Sequence, residues 1–453
     1  MQGLIGRAYR VFWRNDRGAS AMIFALFLPV LMLLIGGAID FSRLLQLRME
    51  LQDACDAASV GAVGVDSAAF QAGIAMSGNG TIAAGSTQAQ AIFNSDMPTN
   101  SDLTGTVFTA AVSKTNTVIT SVISLKSNYK STILGLFVPA LSSIPITIAS
   151  TSSATVPPYI NFYLLLDNTP SMGLGATTSD INALVTATAH ETGTLASDEN
   201  CAFACHETDL PGADYYALAK SLGITMRIDV VRQATQNLMT TATNTETLPN
   251  QFGMAIYDFG TDASVIGTTP NAYLVSALST NLTTTSSNAA SIDLMTIPYQ
   301  NYNSDEQTNY TSVLANMNTI IPSNGSGMTA ASPEEVLFMV ADGMQDSHNT
   351  AYNNGGTAGR RITPIDTTTC TTLKNRGVRI AVLYTTYLVI PKGEDSWVDT
   401  YVTPLLSPTD TVATAMQSCA SPGLYFAVSP SQGISDAMTA LFQKVVSVVR
   451  INS

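Results

Sequence analysis

Residues 159–171 read YINFYLLLDNTPS, an apolar run that ends at Asp167 and passes into a loop of turn formers. A run of this length bounded by turn residues reads as a strand buried on both faces. Working outward, helical periodicity covers residues 224–239, ITMRIDVVRQATQNLM. Further strands are expected in QFGMAIYDF, EEVLFMVAD, VRIAVLYTT and GLYFAV, with a closing helix in ISDAMTALFQKVVSVV. Apolar strands alternating with helices predict an α/β fold for residues 158–453: a doubly wound, mostly parallel sheet of Rossmann type. An insertion is expected near residues 175–222. Ligands of such sheets sit at the carboxyl ends of strands, where Asp167 and Asp342 fall.

Asp167, Thr169 and Ser171 have the form D-x-[ST]-x-S. Carboxylate and hydroxyl oxygens are hard ligands suited to Mg²⁺, Mn²⁺ or Ca²⁺. Few charged protein ligands would leave such a cation able to recruit a carboxylate from a partner. The same residue types also build ordinary turns. Asp258, Asp262 and Asp346 lie near similar loop ends and read as solvated.

Toward the N-terminus, Ala19–Ile39 is free of charge, and about 20 apolar residues cross a bilayer core. Pro29 inside it is tolerated in membrane helices. Arg7, Arg10, Arg14 and Arg17 precede it against one acid, Asp16. That basic flank predicts a cytoplasmic tail, 1–18, and an extracytoplasmic remainder. A cleaved signal peptide is the alternative, with an apolar region of about 7–15 residues. A helical stem is expected over 40–65. Gly18-Ala19 has the form of a pilin-type cleavage junction, but Ile23 stands where that family has Glu. Residues 66–157 are rich in Val, Ile and Thr between turn clusters and predict a small β-rich or α+β module.

The loop residues together resemble the metal-ion-dependent adhesion site of von Willebrand factor A domains. There the first loop is D-x-S-x-S, a second supplies a Thr, and a third follows a strand ending Asp-Gly. The resemblance implies a site of Asp167, Thr169, Ser171, Thr308 and Asp342, holding a divalent cation, Mg²⁺ foremost. The basic tail, the RNDRGASAMIFALFLPVL anchor, the Asp-Phe-Ser-Arg stem and the C-terminal domain resemble the TadG-like proteins of tight-adherence (Flp) pilus assembly. This implies a non-enzymatic inner-membrane protein, single-pass and largely periplasmic. Its partners would be minor pseudopilins or other parts of the pilus machine.

Five cysteines are present: Cys55, Cys201, Cys205, Cys370 and Cys419. Cys370 precedes the helix expected in TTLKNRG and Cys419 follows the one expected in TVATAMQS. Both helices flank VRIAVLYTT, so a disulfide between the two is expected in an oxidising compartment. Cys201 and Cys205 could pair within the insertion. The segment CAFACH also admits zinc ligation by Cys201, Cys205 and His206 with Glu207 or Asp209, or, more remotely, haem attachment.

Of 453 residues 45% are apolar, so a large core is expected, and only 12% are charged, against roughly 25% in an average protein. The net charge of −13 argues against nucleic acid as a partner. There is no G-x-S-x-G elbow and no P-loop, and His190, His206 and His348 fit no triad order. Glu334-Glu335, after Pro333, reads as the first turn of a helix. Three functions compete: pilus assembly, a surface adhesin gripping a host or matrix ligand through its metal, and a periplasmic redox or metal protein centred on CAFACH.

Overall fold

The computed structural model describes residues 16–190, 200–204, 206–208, 214–260, 272–299, 307–356, 358–386, 396–429 and 433–448. The chain divides into two compact units, Met1–Val156 and Pro157–Ser453.

The first unit is built on one long helix, α1 (Asp16–Gly61), with Pro29 inside it. Its first half leaves Met22, Phe24, Leu26, Phe27, Leu34 and Ile35 exposed, and its second half buries Leu47, Leu51, Ala54, Cys55 and Ala58. These buried residues recur every three or four positions, one face of a helix. Two further helices, α2 (Ala68–Ala75) and α3 (Ala83–Asp96), pack here, so of the two expected forms the segment after the stem takes the α+β one. Four strands follow in the order β1 (Gly80–Thr81), β2 (Leu103–Thr115), β3 (Val118–Lys130) and β4 (Ser143–Thr155). Every pairing among them is antiparallel. The β2–β3 turn is Asn116-Thr117, with Asn116 at φ 54°, a backbone region Asn tolerates better than most residues. Along β3 buried Ile119, Ile123, Leu125 and Tyr129 keep the two-residue period of a sheet with one face covered.

Among the described residues the second unit has two sheets. The larger runs β13 (Tyr425–Val428), β12 (Arg379–Thr385), β9 (Glu334–Ala341), β5 (Ile160–Leu166), β6 (Phe252–Asp258), β7 (Tyr273–Ser279). The smaller runs β11 (Arg360–Pro364), β10 (Met344–His348), β8 (Gln307–Thr308), with both pairings antiparallel. Side chains of β5 alternate between two cores. Ile160, Phe162, Leu164 and Leu166 meet α4 (Arg227–Thr245) on one face, and Tyr163 and Leu165 meet α5 (Tyr310–Ile320) on the other. The second face also carries α6 (Thr367–Asn375) and α7 (Thr411–Cys419), and the first carries α8 (Ile434–Val448).

This corrects the expected fold class. A doubly wound, mostly parallel sheet of Rossmann type does not describe the chain. Among the described residues two of three sheets are wholly antiparallel and the third is mixed, with β7 running against β6. The reason is connection length. Parallel neighbours need a crossover of a dozen or more residues, whereas antiparallel ones close with a short turn, and β2–β3 closes through the two residues Asn116-Thr117. Glu334 and Glu335 are corrected too. They open β9 rather than a helix, and Glu334 pairs with Arg379 at 2.7 Å.

Candidate functional site

β5 delivers Asp167 to the rim of the mixed sheet, where its N–H donates to the Val340 carbonyl of β9 at 2.9 Å. The following loop folds back on this carboxylate. Asp167 Oδ1 accepts from the Thr169 backbone N–H at 3.0 Å and from the Thr169 hydroxyl at 2.7 Å. Ser171 Oγ lies 3.5 Å from Thr169 Oγ1. Asn168 holds the loop from below: its carbonyl accepts the Met295 N–H and its Nδ2 donates to the Asp293 carbonyl.

The other two loops arrive from β8 and β9. The Thr308 hydroxyl donates to Thr169 Oγ1 at 3.1 Å, and Asn309 beyond it caps α5 by accepting the Ser312 N–H. Asp342 and Gly343 form the turn between β9 and β10, with Gly343 at φ +73°, where a side chain is strained. Asp342 Oδ1 accepts the Met344 N–H at 3.2 Å. The first and third loops are joined by Tyr310, whose hydroxyl donates to Asp167 Oδ2 and accepts the Gly343 N–H. All five residues named from the sequence thus stand around one small volume, with Asp167, Thr169 and Asp342 at most 1% exposed.

Two carboxylates buried this way repel each other. Burial and the Asp342 charge push the Asp167 carboxyl well above the usual carboxylate range, against the Thr169 and Tyr310 donors that hold it down. Burial also raises Asp342, opposed by the Ser171 hydroxyl, the Arg227 guanidinium, the Met344 N–H and the Tyr310 hydroxyl. Asp342 Oδ2 has no hydrogen bond of ordinary geometry, although the Ser171 hydroxyl is close enough to lower the acid. Asn168 Oδ1 is likewise buried without a donor. Native interiors rarely leave such oxygens unsatisfied.

Among the described residues no group of three or more His, Cys, Asp and Glu could hold a metal. The site offers two carboxylates and three hydroxyls instead, a donor set of hard oxygens. Sequence reasoning missed three residues here. Tyr310, two positions after Thr308, could have been suspected from that spacing. Buried Arg227 at the start of α4 and unsatisfied Asn168 gave no signal. Asp258 is corrected: it is 3% exposed rather than solvated, and burial pushes it up to about 7. Asp346 is corrected as well, since Arg360 grips both its oxygens, at 2.9 and 2.5 Å. Asp262 lies outside the described residues.

The Cys370–Cys419 disulfide is closed, with Cα atoms 5.2 Å apart. Pairing of Cys201 with Cys205, and any metal or haem reading of CAFACH, fall partly outside the described residues, as Cys205 and Asp209 do. His206 sets Nδ1 3.0 Å from the Leu294 carbonyl and Nε2 3.5 Å from Asp214, so both its ring nitrogens already face protein oxygens.

Residues 18–69 match the family model described as putative Flp pilus-assembly TadE/G-like. The match covers the apolar half of α1, its stem and the first residues of α2. No curated protein matches the chain. Among solved structures, the pilus adhesin SpaC from Lactobacillus rhamnosus GG is similar at 13% identity and a TM-score of 0.36, over 78% of this chain and 35% of that one. The vWF domain of the type V pili tip protein Mfa5 from Porphyromonas gingivalis is similar at 8% identity and a TM-score of 0.36, over 66% of this chain and 99% of that one. The PilB minor pilin from Streptococcus sanguinis is similar at 8% identity and a TM-score of 0.33, over 77% of this chain and 78% of that one. The chain spans about a third of the SpaC chain's length. Likenesses this slight carry no argument about function.

Proposed function

We propose that this chain is an inner-membrane-anchored, non-enzymatic component of Tad (Flp) pilus assembly whose second unit binds a partner protein through a metal-ion-dependent adhesion site of the von Willebrand factor A type. Asp167, Thr169, Ser171, Thr308 and Asp342 would hold the cation, Mg²⁺ foremost. The observation that carries this reading is the convergence of two buried carboxylates and three hydroxyls, with one Asp342 oxygen left without a partner. The match of residues 18–69 supports the pilus assignment, and the apolar first half of α1 supports the anchor.

The chain's own residues prepare the site. Tyr310 fixes the second oxygen of Asp167, Thr308 and Thr169 set their hydroxyls in one chain, and Gly343 permits the turn that presents Asp342. A bound divalent cation would neutralise the two acids and offer an open position to a partner carboxylate.

The test uses the full chain in detergent. Thermal unfolding with chelator, then with Mg²⁺, Mn²⁺ or Ca²⁺, should show stabilisation by about 2.7 kcal/mol at a hundredfold excess over Kd. Asp167→Ala should abolish that gain. Co-purification of pilus components from membranes should fall with chelator and with Asp167→Ala alike. A variant that loses the cation response yet keeps the partner removes the metal from the mechanism, and one that keeps both removes Asp167 from the site.

A further inference from the structure

The segment between β3 and β4, residues 131–142, reads STILGLFVPALS and contains no charged residue. It leaves Leu136 78% exposed and Phe137 and Leu141 each 41% exposed. Three large apolar side chains on one short loop form an unusual surface in water. The loop is fastened to α1 at the turn that ends the apolar run. The Ile133 side chain fills the space a Cβ on Gly36 would take, and Leu134 Cδ2 lies 3.7 Å from the corresponding point on Gly37. Asp40, one turn further on, accepts from the Ile133 N–H at 2.8 Å and the Leu134 N–H at 2.7 Å through Oδ2, with the Thr132 N–H and the Tyr129 hydroxyl 3.4 Å from Oδ1.

We propose that residues 132–141 form a membrane-interface wedge, seated in the lipid leaflet into which α1 enters, with Leu136, Phe137 and Leu141 among the acyl chains. The occupant of this surface is the bilayer, and continuity decides it. On α1 itself Leu34, Ile35, Ile39 and Phe41 are exposed at the same level as the loop, so the wedge extends an apolar surface that already has to face lipid. Irregular backbone at that depth requires its polar groups to be satisfied within the protein. Asp40 does this for three N–H groups, and the turns Leu136 to Ile133, Val138 to Leu134, Leu141 to Val138 and Ser142 to Pro139 do it for four more. Exposed Arg43 on α1 and Lys130 at the end of β3 flank the loop, where long basic side chains reach headgroup phosphates. The wedge would fix the depth at which α1 leaves the membrane.

This rests on reading Ala19–Ile39 as a membrane anchor, and the test separates the two. The full chain, with Trp13→Phe and Trp397→Phe, receives one reporter at a time: Leu136→Trp, Phe137→Trp or, as control, Val122→Trp. Val122 is an exposed residue of β3, about 23 Å along the strand from Tyr129. Each variant is reconstituted into phosphatidylethanolamine–phosphatidylglycerol vesicles and floated on a density gradient. Failure to float overturns the anchor and the wedge together. For floating protein, emission from position 136 or 137 should be blue-shifted, quenched by brominated acyl chains and shielded from iodide, with the reverse at position 122. Iodide access at both 136 and 137, or shielding from both quenchers as under a second protein, overturns the wedge and leaves the anchor standing.

Discussion

The Tyr310 hydroxyl donates to Asp167 Oδ2 across 3.0 Å, although the two residues are 143 positions apart. The same oxygen accepts the Gly343 N–H at 3.0 Å. One phenol therefore ties the loop after β5 to the turn after β9, and both acids of the site depend on its position. Tyr310 is fully buried and packs against Phe259 with ring centroids 5.3 Å apart, so it cannot swing away without opening the core.

Tyr310→Phe keeps that packing and removes the donor. Asp167 then has a buried oxygen with nothing to satisfy it, a loss of about 1–3 kcal/mol. Urea unfolding in chelator is expected to show this loss. Saturating Mg²⁺ should reduce it, because the proposed cation takes over part of the charge on Asp167. An equal loss with and without Mg²⁺ would separate Tyr310 from cation binding.

The Cys370–Cys419 bridge joins α6 to α7 across 49 residues. Closing a loop of that length restricts the unfolded chain by about 4 kcal/mol in the chain-entropy picture. The same α7 carries Val412 and Met416, which line the Gly343 turn. The double variant Cys370→Ala, Cys419→Ala should therefore lose about 2–4 kcal/mol in urea and bind Mg²⁺ more weakly. Full stability in the double variant would mean that the two helices are held by packing alone.

Glu335 supplies a pH dependence away from the site. It is 2% exposed, and its Oε2 accepts no hydrogen bond. Burial pushes its carboxyl up to about 7, opposed by Asn161 and Tyr163, from the ordinary 4.5. Below both values each state is protonated and there is no effect. Between them the unfolded chain ionises while the folded one keeps its proton, so stability falls as pH rises, by at most about 1.4 kcal/mol per unit. The fall is complete above pH 7 or so. Glu335→Gln should be flatter than the parent across pH 4.5–7 in denaturant titrations with chelator present. Parallel profiles would show that the acid is ionised in the fold.

Much of this arrangement was legible because burial leaves a mark on composition. YINFYLLLD carries its apolar run on both faces of β5, and Asp167 and Asp342 stand at the ends of strands that their apolar runs mark. Where the sequence misled, a local pattern was overruled by tertiary contacts. Pro333 with two acids suits a helix start, yet Val336–Ala341 is wanted by the sheet, and Arg379 compensates Glu334 from the neighbouring strand. α3 was hidden because its buried residues are Gly85, Ala89 and Phe93, at helical spacing but with only Phe93 large enough to register, which makes no apolar stripe. Strand direction was the largest loss. An apolar strand reads the same whichever way its neighbour runs, so the antiparallel edge β7 and the small antiparallel sheet β11–β10–β8 carried no sign of themselves.

Gly343 is the position where backbone and site meet most directly. At φ +73° a Cβ there would lie 2.5 Å from Met416 Cγ, 2.8 Å from its Sδ and 3.1 Å from Val412 Cγ1. Gly343→Ala thus combines a left-handed backbone cost of about 1–2 kcal/mol with overpacking of about 1–3 kcal/mol. Met416 is fully buried, so its chain has little room to yield. Relief comes most easily by shifting the turn, which moves Asp342 and the Met344 N–H that holds its Oδ1. The variant is expected to lose about 2–5 kcal/mol and to need more Mg²⁺ for the same thermal shift. Adding Met416→Ala makes space for the methyl without changing φ, and should restore part of the cation response while opening a cavity of its own. If Gly343→Ala keeps wild-type Mg²⁺ affinity despite its lower stability, Asp342 is not among the groups that hold the cation.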